Sequence, residues 1–122
     1  MTITNVFTEV AHAAEFILSE ANGQLSREGA DVSAGQNLAA GTVVMMGGSG
    51  TLVAYTGDEI TNGTDDEAVG VLINPVDTTD GVVKKGAYIA RNAEVNVNLL
   101  TFPAGKQALT VQSLALRNII TR

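Results

Sequence analysis

Short stretches of alternating apolar and polar residues run along most of the chain, and glycines or other turn-forming residues separate them. Residues 94–99 alternate at period two, and β-branched residues are frequent in 42–45 and 69–73. Short runs of this kind, divided by turn residues about every 10 positions, are typical of a small barrel or sandwich. We therefore predict a mainly β domain.

The GGSG stretch at residues 47–50, between two apolar runs, fits either a phosphate-binding loop or the turn of a hairpin. A phosphate-binding loop begins a helix and usually has a lysine or an acidic partner downstream. Here β-forming residues follow directly, and the next lysine is Lys84. We therefore predict a β-hairpin with glycine at the turn positions that require a positive φ. The Asn-Gly pair at 22–23 predicts a second hairpin, between strands at 16–19 and 25–27.

The C-terminal part of the chain has helical rather than strand periodicity. Residues 103–105 open this segment, and apolar residues follow at positions i, i+3, i+6 and i+7. The stripe consists of Ala108, Val111, Leu114 and Ala115. Asn118 is placed to end the helix in the left-handed conformation. We expect one short C-terminal helix and a final strand at 119–121.

Residues 1–15 do not follow the pattern of the remaining chain. Their apolar residues share one helical face, but the threonines among them disfavour a helix, and a strand fits only partly. We therefore predict an extended N-terminal arm at 1–15, followed by a single β-rich domain at 16–122. The arm residues expected to contact another molecule are Ile3, Val6, Phe7 and Val10. The alternative is that Val6, Phe7 and Val10 pack on the core of their own domain.

Composition limits the classes of function. The 122 residues suffice for one domain, and 45% of them are hydrophobic, so aliphatic side chains are available for a core. The absence of cysteine excludes disulfides and thiolate metal sites. A formal charge of −6, with the single basic pair Lys84-Lys85, argues against nucleic acid and anionic membranes as partners. No apolar run reaches the ~20 residues of a membrane span, and no basic residue precedes Arg27, so we expect neither a membrane segment nor a signal peptide.

Few residues are candidates for chemistry. The one histidine, His12, has no second ligand or nucleophile near it in the sequence, and we expect an ordinary arm residue. The acidic run at 65–67 lacks the alternating oxygen ligands of a calcium loop, so we expect a solvated loop there. Asp77 and Asp80 are typical of turns. We therefore predict no catalytic residue, no metal site and no cofactor, and a binding or structural role.

Six strings of the sequence, taken in order, resemble one family. They are SRE at 26–28, SAGQNLAAGTV at 33–43, AVGVL at 68–72, DTTDG at 77–81, AYIARNAEVN at 87–96 and IITR at 119–122. In this order and spacing they are similar to the lambda-type bacteriophage head decoration proteins. The similarity covers residues 16–122.

This resemblance implies a β-clip type of barrel or sandwich with little helix. It implies homotrimers that sit at the three-fold and quasi-three-fold positions on the outer surface of the expanded icosahedral capsid. Such trimers bind the major capsid protein, stabilise the shell against internal DNA pressure and catalyse no reaction. The N-terminal arm is the element by which the family usually binds the capsid. The expected location is therefore the virion, after folding in the host cytoplasm.

Two alternatives remain open from the residues alone. One is a hydrolase or small-ligand domain on a β-clip scaffold, which would need acidic residues such as Asp31, Asp58 and Asp77 to converge on a pocket. The other is a tail or baseplate accessory protein, which would also be a structural module.

Overall fold

The computed structural model describes residues 13–47, 50–57 and 68–122. Within them the chain forms ten strands, a 3-10 turn and one α-helix. In chain order these are β1 (Ile17–Glu20), β2 (Arg27–Val32), β3 (Asn37–Leu38), β4 (Val43–Met46), β5 (Leu52–Ala54), β6 (Ala68–Leu72), β7 (Val76–Asp77), β8 (Lys84–Ile89), β9 (Ala93–Val95), the 3-10 turn (Val97–Leu99), α1 (Gln107–Ala115) and β10 (Ile119–Thr121). The expectations for residues 1–12, 48–49 and 58–67 lie outside the described residues.

A closed barrel forms the centre of the domain. Its strands are hydrogen-bonded in the order β2-β5-β4-β6-β8. The longest ladder joins β2 and β8, from Arg27 opposite Ile89 to Val32 opposite Lys84, and the barrel closes where Val32 lies beside Leu52 in parallel register. Because a closed barrel leaves no free edge among its strands, this part is protected from edge-to-edge pairing. The predicted mainly β fold is confirmed.

The hairpin predicted at 47–50 is confirmed. β4 and β5 are antiparallel, and Met46 lies opposite Leu52. The Gly47 N–H donates to the Thr51 carbonyl at 2.8 Å, and Gly50 has a φ of 78°. Only a residue without a Cβ adopts that conformation at little cost, which explains the glycine at this position.

The second predicted hairpin is wrong. β1 does not pair with β2; it pairs antiparallel with β9, and Ile17 lies opposite Val95. The loop between β1 and β2 carries the chain from one sheet into the other, and the buried Ser26 fixes it. The Ser26 hydroxyl accepts from the Ala21 N–H at 3.0 Å and donates to the Asn92 carbonyl at 2.9 Å.

A three-stranded sheet, β1-β9-β10, packs beside the barrel together with α1. β10 runs parallel to β9. Asn118 has a φ of 58°, so the predicted left-handed helix stop is confirmed, as is the final strand. The predicted alternating strand at 94–99 is only half right, because β9 ends at Val95. The side chain of Asn96 accepts from the Asn98 N–H and starts the 3-10 turn instead.

The predicted apolar stripe of α1 is only partly right. Leu114 is fully buried, but Ala108 and Ala115 are exposed. Two hydroxyl residues, Thr110 and Ser113, occupy the buried face. This face meets backbone as well as side chains, because the Ser113 hydroxyl accepts from the Ala68 N–H at 2.8 Å. The buried face therefore includes two polar residues that the predicted stripe did not contain.

The core consists of two clusters. The first fills the space between the barrel, the three-stranded sheet and α1, and it includes Phe16, Leu114 and Ile119. The second, around Val32 and Leu52, lies on the opposite face of the barrel strands, because its members alternate with those of the first along β4, β6 and β8. Together they hold the sheet, the helix and the barrel as one packed unit.

Candidate functional site

The N-terminal segment joins the domain through a fixed root. The Ala14 N–H donates to the Ile73 carbonyl at 3.1 Å, and the Ala14 carbonyl accepts from the Ile17 N–H at the same distance. Ala14 has a φ of 61°, which is uncommon for a residue with a Cβ and indicates local strain. Phe16 is 1% exposed, and its carbonyl accepts from the Asn96 N–H at 2.8 Å.

The C-terminal residue lies at the same end of the three-stranded sheet as this root, on the opposite side of β9. The Arg122 N–H donates to the Val95 carbonyl at 2.9 Å, and the Val97 N–H donates to the Arg122 carbonyl at 3.3 Å. Since Asn96 between them bonds to Phe16, the root and the last residue are separated by one short stretch of backbone. Both ends of the described chain therefore emerge on one side of the domain.

The predicted contact residues of the arm lie outside the described residues, and so does His12. Of the arm, the structure describes only residues 13–15, which together with Phe16 form its root. The assignment of Ile3, Val6, Phe7 and Val10 thus stays a prediction. The acidic run at 65–67 and Asp58 also lie outside the described part of the chain.

The aspartates predicted for turns do form turns. The Asp77 carboxylate accepts from the Thr79 hydroxyl at 2.6 Å and from the Thr79 N–H at 2.9 Å, and these bonds lower its pKa. The Asp80 carboxylate accepts from the Val82 N–H at 3.1 Å, which lowers the pKa of Asp80. Lys84 closes the turn, because its Nζ donates to the Asp77 carbonyl at 2.8 Å and lies 3.4 Å from the Asp80 carboxylate.

These carboxylates do not converge as a metal or catalytic centre would. Asp31 lies opposite Lys85 on the β2–β8 ladder, whereas Asp77 is held in its own turn. Within residues 13–47, 50–57 and 68–122, no three His, Cys, Asp or Glu side chains come together in a group that would hold a metal ion. In the same ranges, no helix has the length and apolar character that crossing a bilayer requires.

A shallow depression of about 270 Å³ lies over the outer face of the three-stranded sheet. Three of its polar side chains, Asn92, Glu94 and Asn118, already form hydrogen bonds or ion pairs. The Asn118 side-chain amide donates to the Asn92 side-chain oxygen at 2.8 Å, and Arg122 pairs with Glu94 at 3.3 Å. Asn92 and Asn118 both have a positive φ, and their bond joins the starts of the parallel strands β9 and β10. The arrangement fixes strand register.

Several large apolar side chains remain on the surface of the described domain. Val82 and Val83 are 58% and 47% exposed, next to the rigid Asp80–Lys84 turn, and Leu116 is 71% exposed just after α1. Single exposed apolar residues are common on monomers, but a rigid apolar tip is available for contact with another protein.

A comparison with family models identifies the family to which the chain belongs. The model of the bacteriophage lambda head decoration protein D matches residues 6–119. The chain belongs to this family. It is a phage head decoration protein, and its place is the capsid of the virion. The family is one of structural capsid proteins. A search of curated proteins found no match.

The match confirms the resemblance seen in the sequence, and it extends further toward the N-terminus. The resemblance seen in the sequence starts at residue 16, whereas the family match starts at residue 6, inside the predicted arm. The residues that sequence reasoning missed are the buried hydroxyls that pin loops to strands. Ser26 lies in SRE, one of the strings that resemble the family. Its position shortly after the Asn-Gly pair was the only local sign that its hydroxyl could hold the loop.

Proposed function

We propose that three copies of this chain form a homotrimer on the outer surface of the expanded icosahedral capsid, at its three-fold and quasi-three-fold positions. The trimer stabilises the shell against the pressure of packaged DNA. Residues 1–15 of each copy are the capsid-binding arm, residues 16–122 are the decoration domain, and the partner is the major capsid protein.

The family match carries the proposal. Its description names the phage head, which favours the head over a tail or a baseplate. Because the match covers residues 6–119, it includes both the domain and most of the arm. Three of the four predicted arm contacts, Val6, Phe7 and Val10, lie in the matched part.

The root of the arm suits a part that carries load. Ala14 is bonded to Ile73 at the end of a barrel strand, and Phe16 is buried and bonded to Asn96 beside the three-stranded sheet. A force on the arm would therefore reach the core through two different sheets. A loosely attached segment would fray before it could restrain a shell.

The energetics favour three arms over one. Ordering each arm residue costs roughly 1–2 kcal/mol. Burying a valine, isoleucine or phenylalanine side chain returns roughly 1.5–3 kcal/mol. A single arm therefore binds weakly, even when its backbone adds a strand to a sheet edge of the capsid protein. Linking three arms raises the affinity by about 10²–10⁴-fold when all three sites are at the right spacing, so the trimer prefers an expanded shell.

Charge agrees with an external position. Three copies, each with a formal charge of −6, give a trimer of −18. Such a body is repelled by packaged DNA and needs no contact with it. The absence of cysteine is consistent with folding in the host cytoplasm before assembly.

The arm is tested by deleting residues 1–12 and measuring binding to undecorated expanded capsids in a co-sedimentation assay. The deletion stops at residue 12 because Ala14 packs on the core and bonds to Ile73. We expect affinity to fall by about 10²-fold or more, because three linked contacts are lost together. The truncated protein should keep its circular dichroism spectrum and its oligomeric state.

Two full-length variants test whether capsid binding depends on the apolar side chains of the arm or only on the presence of the arm. In the first, the four predicted contact residues become serine; in the second, a matched control, the arm threonines become serine. The contact set is Ile3, Val6, Phe7 and Val10, and the control set is Thr2, Thr4 and Thr8. The first should bind weakly and the second normally. Wild-type binding by the truncated protein would contradict the arm assignment, and equal loss in both serine variants would contradict the residue assignment.

The trimer is tested separately by sedimentation equilibrium of the free protein over a range of concentrations. We expect a species of three times the chain mass at the concentrations where capsid binding saturates. A monomer throughout that range would contradict the trimer without bearing on the family.

A further inference from the structure

We propose that Asn22 is a site of spontaneous deamidation in the folded protein, so that each virion accumulates converted copies as it ages. The inference concerns the loop at residues 21–26 and is independent of how the chain binds the capsid. It rests on the exposure of Asn22, on the glycine that follows it, and on the contrast with the other asparagines of the described chain.

The two ends of this loop are fixed, but its tip is not. The Ala21 N–H donates to the Ser26 hydroxyl at 3.0 Å, and Arg91 donates to the Leu25 carbonyl at 2.7 Å. At the tip, Asn22 and Gly23 are both exposed. Neither the Asn22 side chain nor the Gly23 N–H makes a hydrogen bond to another residue in the described part of the chain. Both reacting groups are thus open to water.

Glycine is the residue that permits the reaction most readily. Gly23 has a φ of 66°, and a Cβ placed there would find no atom within 4 Å, so the surroundings are open on that side. Because glycine has no side chain, nothing shields its backbone nitrogen from the neighbouring side-chain amide. The flexible backbone of glycine also lets the two groups approach each other.

The other described asparagines are protected in distinct ways. Asn74 precedes proline, which has no N–H to react. Asn92 and Asn118 have bonded side chains, and the N–H after Asn92 donates to the Asn118 carbonyl at 3.2 Å. The N–H groups after Asn96 and Asn98 donate to the Arg122 and Asn96 carbonyls. Asn37 lies in β3 and precedes the buried Leu38.

The chemistry needs only water. The Gly23 nitrogen loses its proton to hydroxide and attacks Cγ of Asn22; the new N–Cγ bond forms as the Cγ–Nδ2 bond breaks, and Nδ2 leaves as ammonia after taking a proton from water. The product is a five-membered succinimide. Water then adds to one of its two carbonyls and opens the ring, giving aspartate or isoaspartate at position 22.

The product changes the loop in two ways. Either acid adds one negative charge close to Glu20, which pairs with Arg27 at 3.0 Å across the base of the loop. The isoaspartyl form also lengthens the backbone by one carbon between the fixed points at Ala21 and Leu25. Since a virion makes no new protein, converted copies on its surface are not replaced.

The test uses the full-length protein carrying Asn62→Gln, which removes the second Asn-Gly pair of the sequence. The protein is incubated at body temperature at neutral and at mildly alkaline pH. Peptide mass spectrometry follows conversion at each asparagine, and an isoaspartyl methyltransferase labels the isoaspartyl product. We expect conversion at Asn22 that accelerates with hydroxide concentration, and none at Asn92 or Asn118 over the same period.

Two controls make the result decisive. Adding Asn22→Gln should abolish the charge change, because the longer side chain would have to close a less favourable ring. The same protein unfolded in urea gives the deamidation rate of Asn22 in the unfolded chain. We expect the folded rate to stay within about threefold of the unfolded rate; folding that slows Asn22 by about tenfold or more would show a protected tip and overturn the proposal. Equal conversion at Asn92 or Asn118 would overturn it as well.

Discussion

Thr78→Val should destabilise the domain far more than its small change in shape suggests. Thr78 is fully buried. Its hydroxyl donates to the Ser33 carbonyl and accepts from the Gln36 N–H at 2.8 Å, so it links the turn before β3 to the turn after β7. Valine has nearly the same volume, but it would leave that carbonyl and that N–H without their partner.

The expected cost follows from those two groups. An unsatisfied buried polar group costs about 1–3 kcal/mol. Ser33 and Gln36 are only half-buried, so water can form hydrogen bonds with the groups that lose Thr78 and reduce this cost. We therefore expect the free energy of unfolding to fall by about 2 kcal/mol, and the urea midpoint to fall by roughly 1 M. Thr78→Ser keeps the hydroxyl and removes one methyl group, so it should cost only about 1 kcal/mol.

Thr110→Val is the matched control. Thr110 is also buried, but its hydroxyl donates to the Lys106 carbonyl, which already accepts the Thr110 N–H at 2.9 Å. No group loses its last partner, so the cost should stay below about 1 kcal/mol.

The measurement is urea unfolding followed by far-UV circular dichroism, because the chain has no tryptophan. All variants must be compared at one chain concentration, since self-association would add to the apparent stability. Thr78→Val within about 0.5 kcal/mol of wild type would refute the reasoning, as would an equal loss in the Thr110 control.

Two further predictions concern packing and pH. Gly70→Ala should prevent folding, because a Cβ there would overlap the Ile89 carbonyl oxygen. Gly29→Ala should give a soluble protein with a wild-type spectrum, because the atom nearest to the new Cβ would be the Gly86 carbonyl oxygen at 3.8 Å. Soluble expression of both variants would refute the contact. The lowered pKa values of Asp77 and Asp80 mean that folding favours the ionised form of each carboxyl. Their contribution to the free energy of unfolding is therefore complete above the ordinary pKa of 3.8, and it is lost as the pH falls through the lowered values. Replacing both by asparagine should flatten the acid side of the stability–pH curve, and an unchanged acid slope would contradict this.

Local features of the fold were predictable from sequence. The turn at 47–50, the left-handed stop at Asn118 and the final strand follow from the conformations that glycine and asparagine permit. The closed barrel was anticipated only as one of two classes, barrel or sandwich. Nothing in a short window distinguishes these, because closure depends on contacts between distant strands.

Long-range pairing explains the errors. Asn22-Gly23 is a strong local hairpin signal, yet β1 pairs with β9, more than 70 positions away along the chain. The buried Ser26 lies where the chain passes from one sheet to the other, and its partner Asn92 is 66 positions away in sequence. On α1, periodicity identified a helix, but it could not reveal that the buried face meets the Ala68 backbone and therefore needs the Ser113 hydroxyl.

For the candidate site too, the features with a local signal were predictable from the sequence and the long-range contacts were not. The arm was predicted from the mismatch between residues 1–15 and the remaining pattern, and from a family resemblance. Its root was not predicted, because the bond between Ala14 and Ile73 joins residues that no local motif relates. The apolar contacts in the arm stay a prediction.

The most direct test of the central claim is an electron cryomicroscopy reconstruction of expanded capsids saturated with the full-length protein. The account predicts three copies around each three-fold and quasi-three-fold position, on the outer surface only, with density running from the root at Ala14 into the capsid protein. Single copies, density on the inner surface, or domains attached without any arm density would contradict it.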